Sequence, residues 1–317
     1  MGRRILVIKL SALGDFIQAL GAMAAIRRHH AEDRITLLTT GAYRTLAERS
    51  GYFDEVWLDP RASPLRPDLW LPLIRRLRRG AFDRVYDLQW AERTAFYFRL
   101  LGRPKPEWVG TAPGCSHRLA DPAERLHIRE RQAKLLRLAG IETVPLPDVS
   151  FLTADISRYG IEGPYALLVP GSSPQHRWKR WPIERYVALA QALAADGVAP
   201  VLICGPAERA EAAAIARACP GAHDIDSNRE EIVALARGAS VAVANDTGPS
   251  FLIAAAGCPL VVLYSDRSDP VKLAPPGERV TVLRRPSLDD LPTDEVIGAA
   301  LAARRSAPLP AAPQSLP

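Results

Sequence analysis

The sequence predicts an α/β protein with two Rossmann-like, doubly wound domains in tandem. Short β-rich apolar runs alternate with longer amphipathic segments from end to end. Prolines and glycines interrupt this pattern at 141–164, as in a linker, and the pattern then starts again. The chain has 317 residues and is 48% hydrophobic, so it can bury two cores of ordinary size.

The first domain is predicted over residues 1–150. Its strand candidates are 5–10, 35–40, 55–58 and 84–89, with a weaker one at 107–110. Helical patterns cover 16–29, 43–50 and 123–139. A further amphipathic stretch starts near Trp70 and ends in Arg75, Arg76, Arg78 and Arg79.

The second domain is predicted over residues 151–306 and repeats the alternation. Its strand candidates are 165–170, 200–205, 241–245 and 260–264. Its predicted helices are 183–195, 207–218, 229–236 and 249–256. Residues 307–317 are rich in proline and carry no charge, so we expect a disordered tail or a strap over the surface.

Composition narrows the class of protein. No apolar run approaches the roughly 20 residues of a membrane span, and the N-terminus leads directly into a strand, so we expect a cytoplasmic protein. The cysteines are far apart in sequence, which predicts neither a zinc site nor a disulfide framework but four buried, reduced thiols: Cys115, Cys204, Cys219 and Cys258.

The net charge of +6 is concentrated in the first half. Residues 1–150 carry 25 Lys and Arg against 17 Asp and Glu, whereas residues 151–317 carry 16 against 18. The arginines at 75–79 suit a surface that meets anionic lipid or an acidic acceptor. They suit equally well a solvated helix end favoured by the helix dipole. The chain has no nucleic-acid module, so we expect no nucleic-acid partner.

Several enzyme classes lack their usual signatures in this chain. There is neither a G-x-x-x-x-G-K-[ST] loop nor a G-x-G-x-x-G after the first strand, which argues against P-loop NTPases and ordinary dinucleotide dehydrogenases. The G-x-S-x-G elbow of hydrolases and the H-E-x-x-H helix of zinc enzymes are also missing.

Four loops at predicted strand ends carry polar residues, and the first follows the opening strand. It contains Lys9, Ser11, Gly14 and Asp15, at the edge where open α/β sheets bind their ligands. Taken alone, Ser11 or Asp15 is better explained as a cap of the helix predicted from Phe16.

The second loop, 170–182, follows the first strand of the second domain. Two hydroxyls, an imidazole and three cations precede a helix there, an arrangement that suits a diphosphate without a metal. These side chains are Ser172, Ser173, His176, Arg177, Lys179 and Arg180.

The remaining two loops belong to the second domain. Glu208 follows a strand and could accept hydrogen bonds from ribose, although on its own it fits an exposed helix start better. Asp246, Thr247, Gly248 and Pro249 lie between a buried strand and a helix, where backbone amides and a positive dipole end suit a phosphate.

Together these loops resemble glycosyltransferase family 9, the lipopolysaccharide heptosyltransferase family, over nearly the whole chain apart from the tail. The matching segments are Lys9 with Ser11 to Asp15, Pro170 to Ser172 with Lys179 to Pro182, Asn245 to Pro249, and Ser268 to Pro270 with Pro276 and Gly277. The resemblance implies a GT-B fold, in which an acceptor-binding domain and a nucleotide-sugar-binding domain face one another across a cleft.

The resemblance also implies an activity: inverting transfer of a sugar, most often heptose from ADP-heptose, to a lipopolysaccharide core or related glycolipid. Asp15 would be the general base and Lys179 would stabilise the leaving diphosphate. Ser172, Ser173, Arg177, Glu208 and Asp246 to Pro249 would bind the donor, and Lys9, Ser11 and Gly14 the acceptor. No metal or other cofactor is implied. The implied partners are a nucleotide sugar and an anionic glycolipid at the inner face of the cytoplasmic membrane, bound by a monomeric peripheral protein.

Two alternatives remain at this point. A sugar-nucleotide epimerase would need a glycine-rich dinucleotide loop and a Tyr-x-x-x-Lys pair, and neither is present. A non-catalytic or differently specific GT-B protein stays open. The chain departs from the family at Phe251, where histidine is usual and where a phenyl ring cannot donate a hydrogen bond. Either His176 or Arg177 supplies the missing donor, or the sugar is not the usual one.

Overall fold

The computed structural model describes residues 2–63, 65–120 and 125–306. The chain divides into two compact units, Met1–Asp148 and Val149–Pro317. Each unit contains one six-stranded parallel sheet flanked by helices, which confirms the predicted pair of doubly wound domains. The predicted tail, 307–317, lies outside the described residues.

The sheet of the first unit has the strand order β3-β2-β1-β4-β5-β6. The central strands are continuous apolar runs because both of their faces are covered, and residues 5–8 of the first strand are fully buried. The sixth strand has only two residues and was not predicted. The strands are β1 (Arg4–Ile8), β2 (Arg34–Thr39), β3 (Glu55–Leu58), β4 (Arg84–Asp87), β5 (Glu107–Gly110) and β6 (His117–Arg118).

The helices of the first unit are α1 (Leu13–His29), α2 (Arg44–Arg49), α3 (Pro67–Arg79), α4 (Glu92–Leu100) and α5 (Ile128–Arg137). Helix α1 begins earlier than the predicted residue 16, so Asp15 lies in its first turn. Helix α4 was not predicted. Helix α5 is shorter than the predicted 123–139, and residues 123 and 124 lie outside the described part of the chain.

The sheet of the second unit has the order β12-β11-β10-β7-β8-β9. Counted from the first strand of each unit, this order is the same as in the first sheet. Strands β9 and β12 were not predicted. The strands are β7 (Tyr165–Val169), β8 (Ala199–Ile203), β9 (His223–Ile225), β10 (Val241–Asn245), β11 (Leu260–Ser265) and β12 (Val280–Arg285).

The second unit has six helices among its described residues: α6 (Ile183–Ala195), α7 (Arg209–Ala218), α8 (Arg229–Gly238), α9 (Gly248–Ala255), α10 (Pro270–Leu273) and α11 (Thr293–Arg305). The predicted helix at 207–218 starts as a 3-10 turn, Pro206–Glu208, and continues as α7. Helices α10 and α11 were not predicted.

The topology creates one switch point in each sheet. Strands β1 and β4 are neighbours, as are β7 and β10, and from each pair the sheet continues outward in opposite directions. Ligands of open α/β sheets bind outside the carboxyl ends of such neighbouring strands. The loops that follow these four strands are therefore the candidate ligand-binding loops.

Two other expectations have a structural outcome. Cys204, Cys219 and Cys258 are buried, whereas Cys115 is only half-buried, so the prediction of a buried thiol is wrong at Cys115; all four thiols are free. In the segments that the structure covers, every helix is too short or too polar to cross a bilayer.

Candidate active site

In the first unit the switch-point loops are held together by Gln89. Its Oε1 atom accepts hydrogen bonds from the backbone amides of Leu10, at 2.8 Å, and Ser11, at 3.2 Å. Lys9 is only 2% exposed, and its Nζ donates to the Leu88 carbonyl at 3.3 Å. Lys9 therefore ties the loop after β1 to the loop after β4 from inside the protein.

A buried carboxylate, Asp87, ends strand β4 beside Lys9. Its Oδ1 accepts from the amides of Gln89 and Trp90 at 3.0 and 3.2 Å. Burial raises the pKa of Asp87 from 3.8 to about 6, against the opposing effects of hydrogen bonds and the charge of Lys9. Burial also lowers the pKa of Lys9, although Asp15 and Asp87 act in the opposite direction. The switch point thus contains a lysine that interacts electrostatically with two carboxylates.

Asp15 lies in the first turn of α1 and is half-buried. Its Oδ2 accepts from the Ala12 amide at 3.3 Å, so the capping contact considered for this residue is present. This contact uses only one oxygen of the carboxylate. The carboxylate stays at the edge where the strands end, close enough to Lys9 to raise the pKa of that lysine. A capping role and a chemical role for Asp15 are therefore compatible.

Ser11 is held by an arginine from the loop after β3. Arg61 donates from Nη1 to Ser11 Oγ at 3.0 Å. The backbone of Arg61 is left-handed, with φ of 50°, and its amide donates to Asp59 Oδ1 at 2.7 Å. Burial alone would raise the pKa of Asp59, but hydrogen bonds from Arg93, Tyr97 and Arg61 outweigh it and hold the pKa below its usual value.

In the second unit, Lys179 and Asp246 meet at the switch point. Lys179 follows β7 and Asp246 follows β10, and Lys179 Nζ lies 2.6 Å from Asp246 Oδ2. The same oxygen accepts from Ser268 Oγ at 2.7 Å. The side chain of Asp246 is 7% exposed and that of Lys179 is 20% exposed, so the lysine is the more accessible partner.

Glu208 is paired with Arg180 at 2.8 Å, and the same guanidinium pairs with Glu211. Arg180 also donates to the carbonyl of Ser172, which is itself buried. The expectation of an exposed Glu208 is therefore wrong: the residue is 8% exposed because the arginine provides its counter-charge. Ser172 lies within this network rather than at the surface.

Gly171 and Asn245 give these loops their close packing. A Cβ atom at Gly171 would lie only 2.8 Å from Cγ of Glu208, so a larger residue would displace that side chain. Asn245 is fully buried; its Nδ2 donates to the Pro170 carbonyl at 2.6 Å and its Oδ1 accepts from the Trp181 amide at 3.2 Å. Asn245 thus joins the end of β10 to both ends of the loop after β7.

Helix α9 starts at the same edge. Thr247 precedes it, and Gly248 and Pro249 form its first turn, all three being half-buried. The Thr247 carbonyl accepts from Ser250 Oγ at 2.7 Å. Phe251 is 7% exposed, so its ring belongs mainly to the interior.

The rest of the loop after β7 is exposed, including Ser173, His176 and Arg177. Two cations approach the ring of Trp178: Lys179 Nζ is 5.3 Å from its ring centroid, and the Arg267 guanidinium carbon is 5.8 Å away. This edge of the second unit therefore offers cationic groups and an aromatic ring, which suit a phosphorylated ligand.

The structure brings together the candidates of each unit. In the first unit Lys9, Ser11, Gly14 and Asp15 all lie between the end of β1 and the first turn of α1, and in the second unit Lys179, Asp246 and Ser172 lie around one switch point. Sequence reasoning singled out neither Asp87 nor Gln89. It named Arg180, Asn245 and Ser268 without the contacts by which they hold these groups. Among the described residues there is no group of three or more His, Cys, Asp or Glu side chains suited to a metal ion, and metal independence stays a prediction.

Solved structures with the same fold include two heptosyltransferases and a further member of glycosyltransferase family 9. E. coli ADP-heptose lipopolysaccharide heptosyltransferase II superposes with a TM-score of 0.77 at 20% identity, over 96% of this chain and 99% of that one. A family 9 glycosyltransferase from Veillonella parvula has a TM-score of 0.80 at 18% identity, over 96% and 98%. The E. coli heptosyltransferase WaaC with ADP has a TM-score of 0.74 at 20% identity, over 95% and 99%.

Sequence comparison gives the family directly. No curated protein matches the chain. The model of glycosyltransferase family 9 (heptosyltransferase) matches residues 70–295, which is more than half of the chain and includes both loops of the second switch point. The chain therefore belongs to glycosyltransferase family 9, the heptosyltransferase family, and is a glycosyltransferase with the GT-B fold.

Proposed function

We propose that this glycosyltransferase transfers heptose from ADP-heptose, with inversion, to a hydroxyl of the lipopolysaccharide core or a related glycolipid. The observation that carries the proposal is the Lys179–Asp246 pair, 2.6 Å long, at the switch point of the second unit. An accessible cation at that point is what a leaving nucleoside diphosphate needs. The similar E. coli WaaC structure contains ADP, which supports an adenine nucleotide.

In the proposed reaction the acceptor is bound by the first unit and the donor by the second. The Asp15 carboxylate takes the proton of the acceptor hydroxyl as that oxygen attacks the anomeric carbon. The bond between this carbon and the diphosphate oxygen breaks, and Lys179 stabilises the charge that develops on ADP. Lys9 and Gln89 act as positioning residues, because they fix the loop that precedes Asp15.

The donor contacts follow from the same geometry. Glu208, already held by Arg180, has a second carboxylate oxygen for the ribose hydroxyls. The first turn of α9, with Thr247, Gly248 and Pro249, offers backbone amides to the diphosphate. Ser173 and Arg177, in the exposed part of the loop after β7, supply the remaining donor contacts.

The catalytic proposal is tested with Asp15→Asn in a transfer assay that follows ADP release from ADP-heptose and acceptor. We expect kcat to fall by about 10² to 10⁴, the usual contribution of a general base. The shift in melting temperature caused by ADP should not change, because Asp15 belongs to the other unit. Equal, measurable turnover by wild type and variant would exclude Asp15 as the general base. No transfer by the wild type itself would favour the alternative of a non-catalytic nucleotide-binding protein.

The donor is tested separately by melting curves with ADP, UDP, GDP and CMP. A nucleotide at 100 times its Kd adds about 2.7 kcal/mol to the free energy of unfolding. We expect ADP to give the largest shift. A shift with another nucleotide but none with ADP would mean that the donor is not ADP-heptose. It would favour the alternative raised by Phe251, that the sugar is not the usual one.

A further inference from the structure

A cavity of about 570 Å³ opens at the edge of the first sheet that is opposite to the candidate active site. It is lined by Arg4, Trp57, Pro72, Arg75, Arg76 and Arg79. Arg4 begins β1, and its carbonyl accepts from the Asp83 amide, just before β4. The cavity therefore lies at the amino edge of the strands, whereas Asp15 and Asp87 follow their carboxyl ends.

Among the four arginines of this cavity, Arg76 has a carboxylate nearby, that of Glu55, whose pKa it helps to lower. In the chain as described, none of them forms an ion pair, whereas Arg84, on the neighbouring strand, pairs with Glu107 at 2.6 Å. Arg75 and Arg79 are four residues apart on α3, and Arg76 and Arg79 three apart, so these like charges repel one another. The helix C-terminus offsets only part of that repulsion. An anion within the cavity would offset the remainder.

Trp57 orders one of these cations. The guanidinium carbon of Arg76 lies 4.1 Å from the ring centroid of Trp57. The ring itself is fixed, because its Nε1 donates to Glu55 at 2.7 Å, and Glu55 is paired with Arg34. Stacking fixes the plane of the guanidinium and leaves its N–H donors available for a phosphate. Arg78 is different, since its Nε donates to the Leu100 carbonyl at 2.8 Å.

We propose that this cavity is a second anion-binding site, which takes the phosphate group of a ligand other than the sugar donor. Guanidinium groups that converge on one space bind phosphate through paired, charge-assisted hydrogen bonds. The wall formed by Trp57 and Pro72 would accommodate the body that carries the phosphate. Two sources share this chemistry, a soluble phosphate ester and the head group of an anionic phospholipid.

The test is titration calorimetry of the full chain with pyrophosphate at low salt, where screening is weakest. The wild type should bind pyrophosphate at two sites, the donor site and the arginine cavity. In the double variant Arg75→Gln, Arg79→Gln one site should weaken by about a hundredfold, or about 2.8 kcal/mol at 1.4 kcal/mol per tenfold. The control Arg28→Gln removes an exposed arginine at the end of α1, outside the cavity, and should leave both sites unchanged.

Co-sedimentation with vesicles separates the two sources. Binding of the wild type to vesicles containing phosphatidylglycerol, lost in the double variant and absent with phosphatidylcholine alone, would identify a lipid head group. Pyrophosphate binding without vesicle binding would identify a soluble phosphate ester. The proposal is overturned if the double variant titrates like the wild type, or if Arg28→Gln weakens binding to the same extent.

Discussion

Replacement of Asp87 by asparagine should change how the stability of the protein depends on pH. The folded protein holds the pKa of this buried carboxyl at about 6, against 3.8 in the unfolded chain. Between these two values the folded state binds the proton and the unfolded state does not, so stability falls as pH rises through this window. One pKa unit corresponds to 1.36 kcal/mol, so the full effect is about 3 kcal/mol.

Asp87→Asn removes this titration and keeps an Oδ1 that can accept from Gln89 and Trp90. The free energy of unfolding of the variant, relative to wild type, should therefore rise by about 2.4 kcal/mol between pH 4 and pH 7, since a small part of the full effect is already present at pH 4. Urea denaturation at several pH values measures it. The stability difference between variant and wild type should reach its full value a little above pH 6, where Asp87 is ionised in both the folded and the unfolded wild type.

Asp59→Asn is the matched control. The pKa of Asp59 lies below 3.8 in the folded protein, so both states are ionised from pH 5 to pH 7. Its stabilising contribution is lost only as pH falls through the folded pKa. The difference between this variant and wild type should therefore stay constant from pH 5 to pH 7. A constant difference for Asp87→Asn as well would refute the assignment of a raised pKa to Asp87.

Three further substitutions test the second unit. Gly171→Ala should displace Glu208 and weaken ADP binding about tenfold, whereas the control Gly221→Ala, with no atom within 4 Å of the new Cβ, should bind ADP normally. Equal ADP affinities of the two variants would show that Glu208 does not bind the donor. Asn245→Ala should lower the free energy of unfolding, measured in urea, by about 3 kcal/mol, because it leaves buried polar groups unpaired. A loss under about 1 kcal/mol would contradict the role of Asn245 in joining the two loops. Phe251→His should lower the free energy of unfolding by about 2 kcal/mol, because a polar ring becomes buried, and should leave the donor preference in a competition assay unchanged. A changed preference would mean that this position contacts the sugar.

The sequence predicted the central strands and the edge strand β3, but it missed the edge strands β6, β9 and β12, for a physical reason. Strands β1, β7 and β10 are buried on both faces and therefore appear as continuous apolar runs. Strand β12 lies at a sheet edge, contains Arg284 and Arg285 and has no buried residue, so no such run marks it. Strand β6 has two residues and leaves no pattern at all.

The candidate site shows the same division. The loop positions of Asp15, Lys179 and Asp246 could be predicted, because each follows a recognisable strand. Their partners could not, because the contacts join distant parts of the chain. Lys179 pairs with a residue 67 positions away, and local sequence carries no sign of such a pairing. The environment of Asp87 likewise depends on packing around the end of β4.

The strand order of the two sheets has a consequence for folding. Ile5 pairs with Arg84 in the first sheet, and Ala166 pairs with Val241 in the second. To pair the central strands of each sheet, the chain must close the long segment between them before their contacts form. The entropy lost in that closure slows the folding of parallel sheets. All pairings of the first sheet lie within residues 4–118, so that unit has its complete set of strands while the second is still being synthesised on the ribosome.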